Sequence, residues 1–208
     1  LSSDILVSAD LWRGIGALLL AAVVIMGSPG PSTVSATAVG AAFGIGRSLR
    51  YVAGLIAGTT AVLLAVAAGV VALVLAVPYG GTVLVVGSSI YILYLSWKIA
   101  TAPPLREGGQ AVSAPAFMGG FLLAIANPKA YLAIAAVFAG TTLFAGAPAM
   151  DAGLKIVLLT AMIVAIHFTW LLAGASLARS LRDPLISRVV NVVLAVLLAA
   201  SAARGLLG

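Results

Sequence analysis

Residues 27–33 read G27-S-P-G-P-S-T33, inside a run that is otherwise apolar from Trp12 to Phe43. An unbroken helix over that run would be on the order of 48 Å long, against a hydrocarbon layer of about 30 Å. Something must break it or tilt it. Pro29 removes the donor that the Ile25 carbonyl needs, and Pro31 does the same to Gly27. Gly30 is expected to supply the backbone freedom to reverse, and Pro31 to open a second half-helix, where its missing N–H is harmless. The amides of Ser32 to Ser35 would then face the membrane interior without acceptors, an arrangement that attracts anions. Ser32, Thr33, Ser35 and Thr37 add hydroxyls along the same half-helix. Irregular backbone at that depth requires a protein-shielded or water-lined setting. The plainer alternative is a proline kink that only curves the helix.

The membrane setting follows from composition. Of 208 residues, 63% are apolar and 8% charged, whereas soluble domains carry roughly half and a quarter. The apolar runs between charged stretches exceed the roughly 18 residues that a spanning helix needs. They cover about Trp12–Phe43, Tyr51–Val77, Thr82–Ala100, Pro115–Gly140, Leu154–Ala178 and Ser187–Leu207. The expected architecture is an all-α integral membrane protein of six transmembrane helices, arranged as two inverted three-helix repeats. Residues 1–101 form the first repeat, residues 102–114 a hinge loop carrying Pro103, Pro104, Gly108 and Gly109, and residues 115–208 the second. Each repeat holds three spans, an odd number, so the second must insert upside down relative to the first.

Charge placement sets orientation, because cytoplasmic loops concentrate Lys and Arg. Arg47, Arg50, Lys98, Arg106, Arg179, Arg182 and Arg188 fall on one side; Arg13, Lys155 and Arg204, with Asp4, Asp10 and Asp151, fall on the other. Both termini are therefore expected outside the cytoplasm, with the hinge loop inside. The net charge of +6 belongs to this rim and not to a nucleic-acid surface. Trp12, Tyr51, Tyr79 and Trp97 lie near run ends, where an interfacial aromatic belt is expected. The N-terminal stretch carries Asp4 and Asp10 where a signal peptide needs positive charge, so it is expected to be a span.

A second interruption occupies the corresponding place in the other half. A126-N-P-K-A-Y131 places Asn127, Pro128 and Lys129 roughly 12 residues into the fourth run, near mid-bilayer. Matching breaks in inverted repeats point to a transporter's binding site. A lysine at helix centre costs about 2.5–3.5 kcal/mol on the insertion scale. The five acids, Asp4, Asp10, Glu107, Asp151 and Asp183, all sit at run ends or in loops. Lys129 must then be neutral, solvated by freed carbonyls or water, or paired with a visiting anion; a substrate carboxylate held between it and the amides after Pro31 is the favoured reading. Snorkelling to an interface is the alternative. Asn127 is expected to bond the ligand or to cap the restarted helix, and Tyr131, Tyr91 or Tyr94 to offer hydroxyls or to pack.

His167, mid-way along the fifth run, is the candidate for proton coupling or for helix packing, with Trp170 one turn away as its neighbour. Gly40 with Gly44 and Gly54 with Gly58 have the spacing of close helix contacts, within a bundle or across a homodimer. One histidine, no cysteine and no acid within the runs exclude disulfides, thiolate metal sites and an ordinary catalytic dyad. No cofactor and no enzyme activity are expected. A passive channel or an accessory membrane subunit remains the competing class, although a channel favours a continuous polar face over two local breaks.

Together, G27-S-P-G-P-S-T33, the basic connection at Arg47 and Arg50, N127-P-K-A130 and the R179-S-L-R-D-P184 connection resemble the LysE/RhtB family of amino-acid exporters over essentially the whole chain. The resemblance implies multi-pass insertion in the bacterial cytoplasmic membrane and export of amino acids or close derivatives, usually driven by protons. The site expected from the two breaks themselves comprises Gly30, Pro31, Ser32, Thr33, Asn127, Lys129 and Tyr131, with helix breaks at Pro29, Pro31 and Pro128. One departure matters. Many members carry an acid early in the second span, and here G54-L-I-A-G-T-T60 places Thr59 there. Without that acid a carboxylate proton relay has no member, and a neutral, zwitterionic amino acid is the expected cargo.

Overall fold

The computed structural model describes residues 2–69, 79, 82, 86, 89–90, 93–94, 97, 100–101, 115–177 and 184–207. The expected hinge loop, most of the third run, and Lys98, Arg106, Arg179 and Arg182 fall outside these residues. Everything described is helix or connection, with no strand among the described residues. Helix α1 spans Ser2–Ala21 and widens into a π-helical turn over Ala22–Met26. Then α2 covers Pro31–Ala67, α3 Phe117–Ile125, α4 Pro128–Ala139, α5 Pro148–Leu177 and α6 Pro184–Leu207.

By length and composition α2 and α5 each suffice to cross a membrane, and α3 with α4, bent by 62° at a short break, suffice when taken together. The 37 residues of α2 are nevertheless not one rod. Gly44 has φ 72° and ψ 177°, a conformation that only glycine adopts readily. Ser35 Oγ and Tyr51 Oη are hydrogen-bonded, whereas 16 residues of straight helix would hold them roughly 24 Å apart. The chain reverses at Gly44, so residues 31–43 and 45–67 lie side by side as two arms. Ser48 closes the bend, with Oγ 2.5 Å from the Gly44 carbonyl and 3.0 Å from that of Val39.

Two expectations fail at this bend. Gly44 does not pack: a Cβ there would meet nothing within 4 Å, and its work is the positive φ. Tyr51 is not an interfacial anchor; it is 1% exposed, drawn inward by Ser35. Trp12, Tyr79 and Trp97 are exposed.

Glycines set the two closest helix contacts. A Cβ at Gly54 would lie 2.0 Å from the Phe117 carbonyl of α3, and one at Gly120 of α3 would lie 2.1 Å from the Tyr51 carbonyl. A Cβ at Gly174 of α5 would lie 2.0 Å from the Thr37 carbonyl on the first arm of α2. Backbones therefore meet backbones, the packing that lipid-embedded helices use in place of a water-driven core. Val34, Val39, Tyr51, Leu55, Leu123 and Leu171 fill one cluster. Leu18, Leu63, Ile134, Val137, Leu159 and Ile163 fill the other. Large apolar side chains also cover the outside of α5 and α6, among them Val157, Leu172, Val189, Val192 and Leu197, a surface suited to acyl chains.

Among the described residues one ion pair is internal. Lys155, expected on an outer rim, is 4% exposed; its Nζ lies 2.6 Å from Asp151 Oδ2 and donates to the Phe138 carbonyl at 2.9 Å. Asp151 Oδ1 accepts from the amides of Leu143 and Phe144 at 2.5 and 3.0 Å. The pair fastens the α4–α5 connection to the start of α5.

Candidate functional site

Four backbone carbonyls freed by the first break, those of Ile25, Gly27, Ser28 and Pro29, take side-chain donors. The turn before it is wide: Gly27 N donates to the Ala22 carbonyl at 3.1 Å, five residues back. Ser28 Oγ then donates to the Ile25 carbonyl at 2.8 Å, replacing the donor that Pro29 lacks. Trp170 Nε1, from α5, donates to the Gly27 carbonyl at 3.0 Å, replacing the donor that Pro31 lacks. Trp170 is thus more than a packing neighbour of His167.

Lys129 takes the remaining oxygens. Its Nζ donates to the Ser28 carbonyl at 2.5 Å, Ser28 Oγ at 2.8 Å and the Pro29 carbonyl at 3.0 Å. An ammonium has three N–H groups, and all three are engaged. Of the three states open to Lys129 on sequence grounds, this geometry is solvation by freed carbonyls. Its hydrogen-bond partners come from the chain itself, although no acid reaches it among the described residues.

Gly30 has a different role from the one expected. Its φ of −170° is ordinary extended backbone. What requires glycine is space: a Cβ would sit 2.6 Å from Lys129 Cδ and 2.9 Å from Nζ. Gly30 N donates to Thr33 Oγ1 at 2.8 Å, and Val34 N donates to the Gly30 carbonyl at 2.8 Å. Pro31 has no N–H, so helix geometry leaves the Ser32 and Thr33 amides, fewer than expected, without intrahelical acceptors.

The second break is short and supplies its own closure. Ala126 N and Asn127 N donate back to the Leu122 and Ala124 carbonyls at 2.8 and 3.2 Å. Asn127 caps α4 by accepting from Lys129 N at 3.1 Å, with Pro128 in the first turn. Its Nδ2 donates across to Ser32 Oγ at 3.0 Å. The two interruptions are therefore joined twice, by Lys129 and by Asn127.

A cavity of about 40 Å³ opens where they meet. A water needs roughly 10–15 Å³ on this scale, so the space holds a few waters and not yet an amino acid. Gly30, Ser32, Thr33, Asn127 and Lys129 line it together with Thr59 and His167, and Met26, Ile134, Ile163 and Ile166 supply apolar wall. Tyr131, expected here, is instead half-buried against the Leu18–Ile163 cluster. Pro29 contributes its carbonyl to Lys129, while Pro31 and Pro128 start their helices.

Two residues that line the cavity, Thr59 and His167, carry a buried atom, Oγ1 and Nε2 respectively, with no hydrogen-bond partner among the described residues. His167 Nδ1 lies 2.8 Å from the Ile163 carbonyl, which can only accept, so Nδ1 carries the proton and Nε2 of the neutral ring has a free lone pair. Ser28, Trp170 and Thr59 are the site residues that sequence reasoning gave no such part. Only Trp170 carried a usable signal, a mid-span indole N–H that needs an acceptor.

The family model for LysE type translocators matches residues 22–207. The cysteine/O-acetylserine efflux proteins of Escherichia coli strain K12 and Shigella sonnei strain Ss046 are each 31% identical over 178 residues, covering 85% of this chain and 89% of the relative. No solved structure matches. The chain belongs to the LysE family, a family of membrane-embedded translocators and not of enzymes.

Proposed function

We propose that this protein exports α-amino acids with uncharged side chains, or close derivatives, by alternating access around the cavity between the two breaks. The bacterial cytoplasmic membrane is the proposed setting, with both termini outside the cytoplasm. The observation that carries the reading is the double tie between the breaks, Lys129 to Ser28 and Pro29 and Asn127 to Ser32, at the edge of a mainly apolar cavity that these polar residues help to line. An arriving carboxylate competes with Ser28 and Pro29 for the Lys129 ammonium, aided by the amides of Ser32 and Thr33. Charge-assisted bonds to a carboxylate outmatch those to neutral carbonyls. Loading and release of the tie then become one event, which is what a ligand needs in order to shift a conformational equilibrium.

The restriction to uncharged side chains rests on the wall. Met26, Ile134, Ile163 and Ile166 offer nothing to a second cation, and Thr59 stands where an acid would have drawn one. Cysteine and O-acetylserine, named for the relatives, are both amino acids of the proposed class. Proton coupling is assigned to His167, which lines the cavity and whose Nε2 has no partner among the described residues.

Counterflow in proteoliposomes tests the reading. L-cysteine, O-acetyl-L-serine and L-serine should exchange saturably and L-lysine should not, and an imposed pH gradient should drive net flux. Equal, non-saturable passage of lysine would instead indicate a channel. Net pH-driven flux that survives in His167→Ala would remove the coupling role from that residue.

A further inference from the structure

Thr59 and His167 hold the two buried side-chain atoms without partners among the described residues, and both open onto the same cavity. Buried polar atoms without a partner are rare, because each forgoes a hydrogen bond that water would supply. His167 Nε2 can only accept in the tautomer that the Ile163 carbonyl imposes, so it calls for an N–H or O–H donor. Thr59 Oγ1, on the same cavity lining, can also accept. The Lys129 ammonium and the open amides at the start of α2 belong to the same lining and have the opposite preference, for an anion.

We propose that Thr59 Oγ1 and His167 Nε2 form the subsite that receives the cargo's α-amino group. The proposal rests on the amino-acid reading above and adds which end of the zwitterion goes where. The ammonium donates two of its N–H groups to these atoms, while the carboxylate lies toward Lys129, Ser32 and Thr33. A neutral imidazole and a hydroxyl accept from an ammonium without adding a negative charge. A second cation on the cargo's side chain therefore has no partner there. The subsite demands a ligand ammonium with at least two N–H groups.

Paired ligands isolate this contact. Cysteine, 3-mercaptopropionate, which lacks the amino group, and cysteamine, which lacks the carboxylate, are titrated under reducing conditions into protein held in lipid nanodiscs. Wild-type protein should prefer cysteine to 3-mercaptopropionate by roughly tenfold or more, the weight of hydrogen bonds to a charged group. Thr59→Val and His167→Phe should each shrink that preference several-fold while leaving 3-mercaptopropionate affinity within about twofold. Thr59→Val deletes an unpaired hydroxyl at nearly constant shape, so it keeps the fold even if His167→Phe does not. A preference unchanged in Thr59→Val would overturn the subsite and leave those atoms to water. Wild-type binding that ignores the amino group would do the same while saturable counterflow, measured in parallel, left the export reading standing. Loss of counterflow for every amino acid would take both readings down.

Discussion

The two helix breaks solve the same problem by opposite means. At 27–30 the chain exposes a cluster of carbonyls and draws donors to them from elsewhere: Trp170 from α5 and Lys129 from α4, beside the local Ser28 hydroxyl. At 126–127 the backbone closes on itself, with Asn127 as the cap, and its surplus is donors, Asn127 Nδ2 and Lys129 Nζ, both spent on the first break. One break is an acceptor bed and the other a donor arm. A broken span therefore need not be a weak point. Here the unmet bonds of one interruption are the glue for the other, and the joint can be reversed by a ligand that offers a better acceptor.

Removing the donor arm gives the largest expected effect. Lys129→Gln should abolish counterflow of the preferred amino acid, a loss of a hundredfold or more if a charged contact of about 3 kcal/mol disappears, while the protein still elutes as a folded species. Unchanged counterflow would cut Lys129 out of the site. Gly30→Ala approaches the same contact from the other side. Its methyl would lie 2.9 Å from Nζ, and the long side chain can swing away only by abandoning Ser28 and Pro29. It should reproduce the Lys129→Gln transport defect in milder form. A Gly30→Ala protein with normal transport would show that the strap is not needed.

How much of this was written in the sequence depends on how local the cause is. A proline lacks its N–H whatever surrounds it, so the ends of α1 and α3 could be read from 27–33 and 126–131 directly. Membrane character was equally open, since composition needs no geometry. Rotation of one helix against another is not a local property. Trp170 could be placed one turn from His167 but not aimed at a carbonyl 143 positions earlier. Gly40 and Gly44 share one spacing motif, yet Gly40 would crowd Leu171 of α5 whereas Gly44 forms a reversal, because spacing says nothing about φ. Tyr51 misled for the same reason: it is buried only because the arms of α2 fold back at Gly44. Asp151 and Lys155, four apart on one helix, were legible as a pair and were instead read as separate rim charges.

The acceptor bed can be tested without touching the strap. Trp170→Phe keeps the aromatic volume and deletes the donor to the Gly27 carbonyl. Interhelical hydrogen bonds in membranes average only about 0.6 kcal/mol, because a loosened helix finds other partners. Gly27 lacks that escape, since the donor four residues on would be Pro31, which has no N–H. The cost should therefore reach the ~1–3 kcal/mol of a stranded buried carbonyl, read as a lowered denaturation midpoint in detergent titration. A change of a few tenths would mean that water reaches Gly27 and that the bed is wetter than the bonding suggests.

Loss of the Asn127–Ser32 tie alone should have the smallest effect, and separating it from the Asn127 cap sharpens the comparison. Asn127→Ala loses a cap, worth about 0.5–2 kcal/mol, and one interhelical bond to Ser32, worth roughly 0.6. Asn127→Asp retains the cap acceptor but not the Nδ2 donor, and Ser32→Ala removes the Ser32 end of the tie and keeps the cap. If the second break is closed by its own residues, Ser32→Ala should cost only a few tenths of a kcal/mol in chemical denaturation and Asn127→Ala about 1 kcal/mol more. Equal losses would mean that α4 is held at its start by the first break and not by its own cap, and the asymmetry between acceptor bed and self-closing arm would have to be given up.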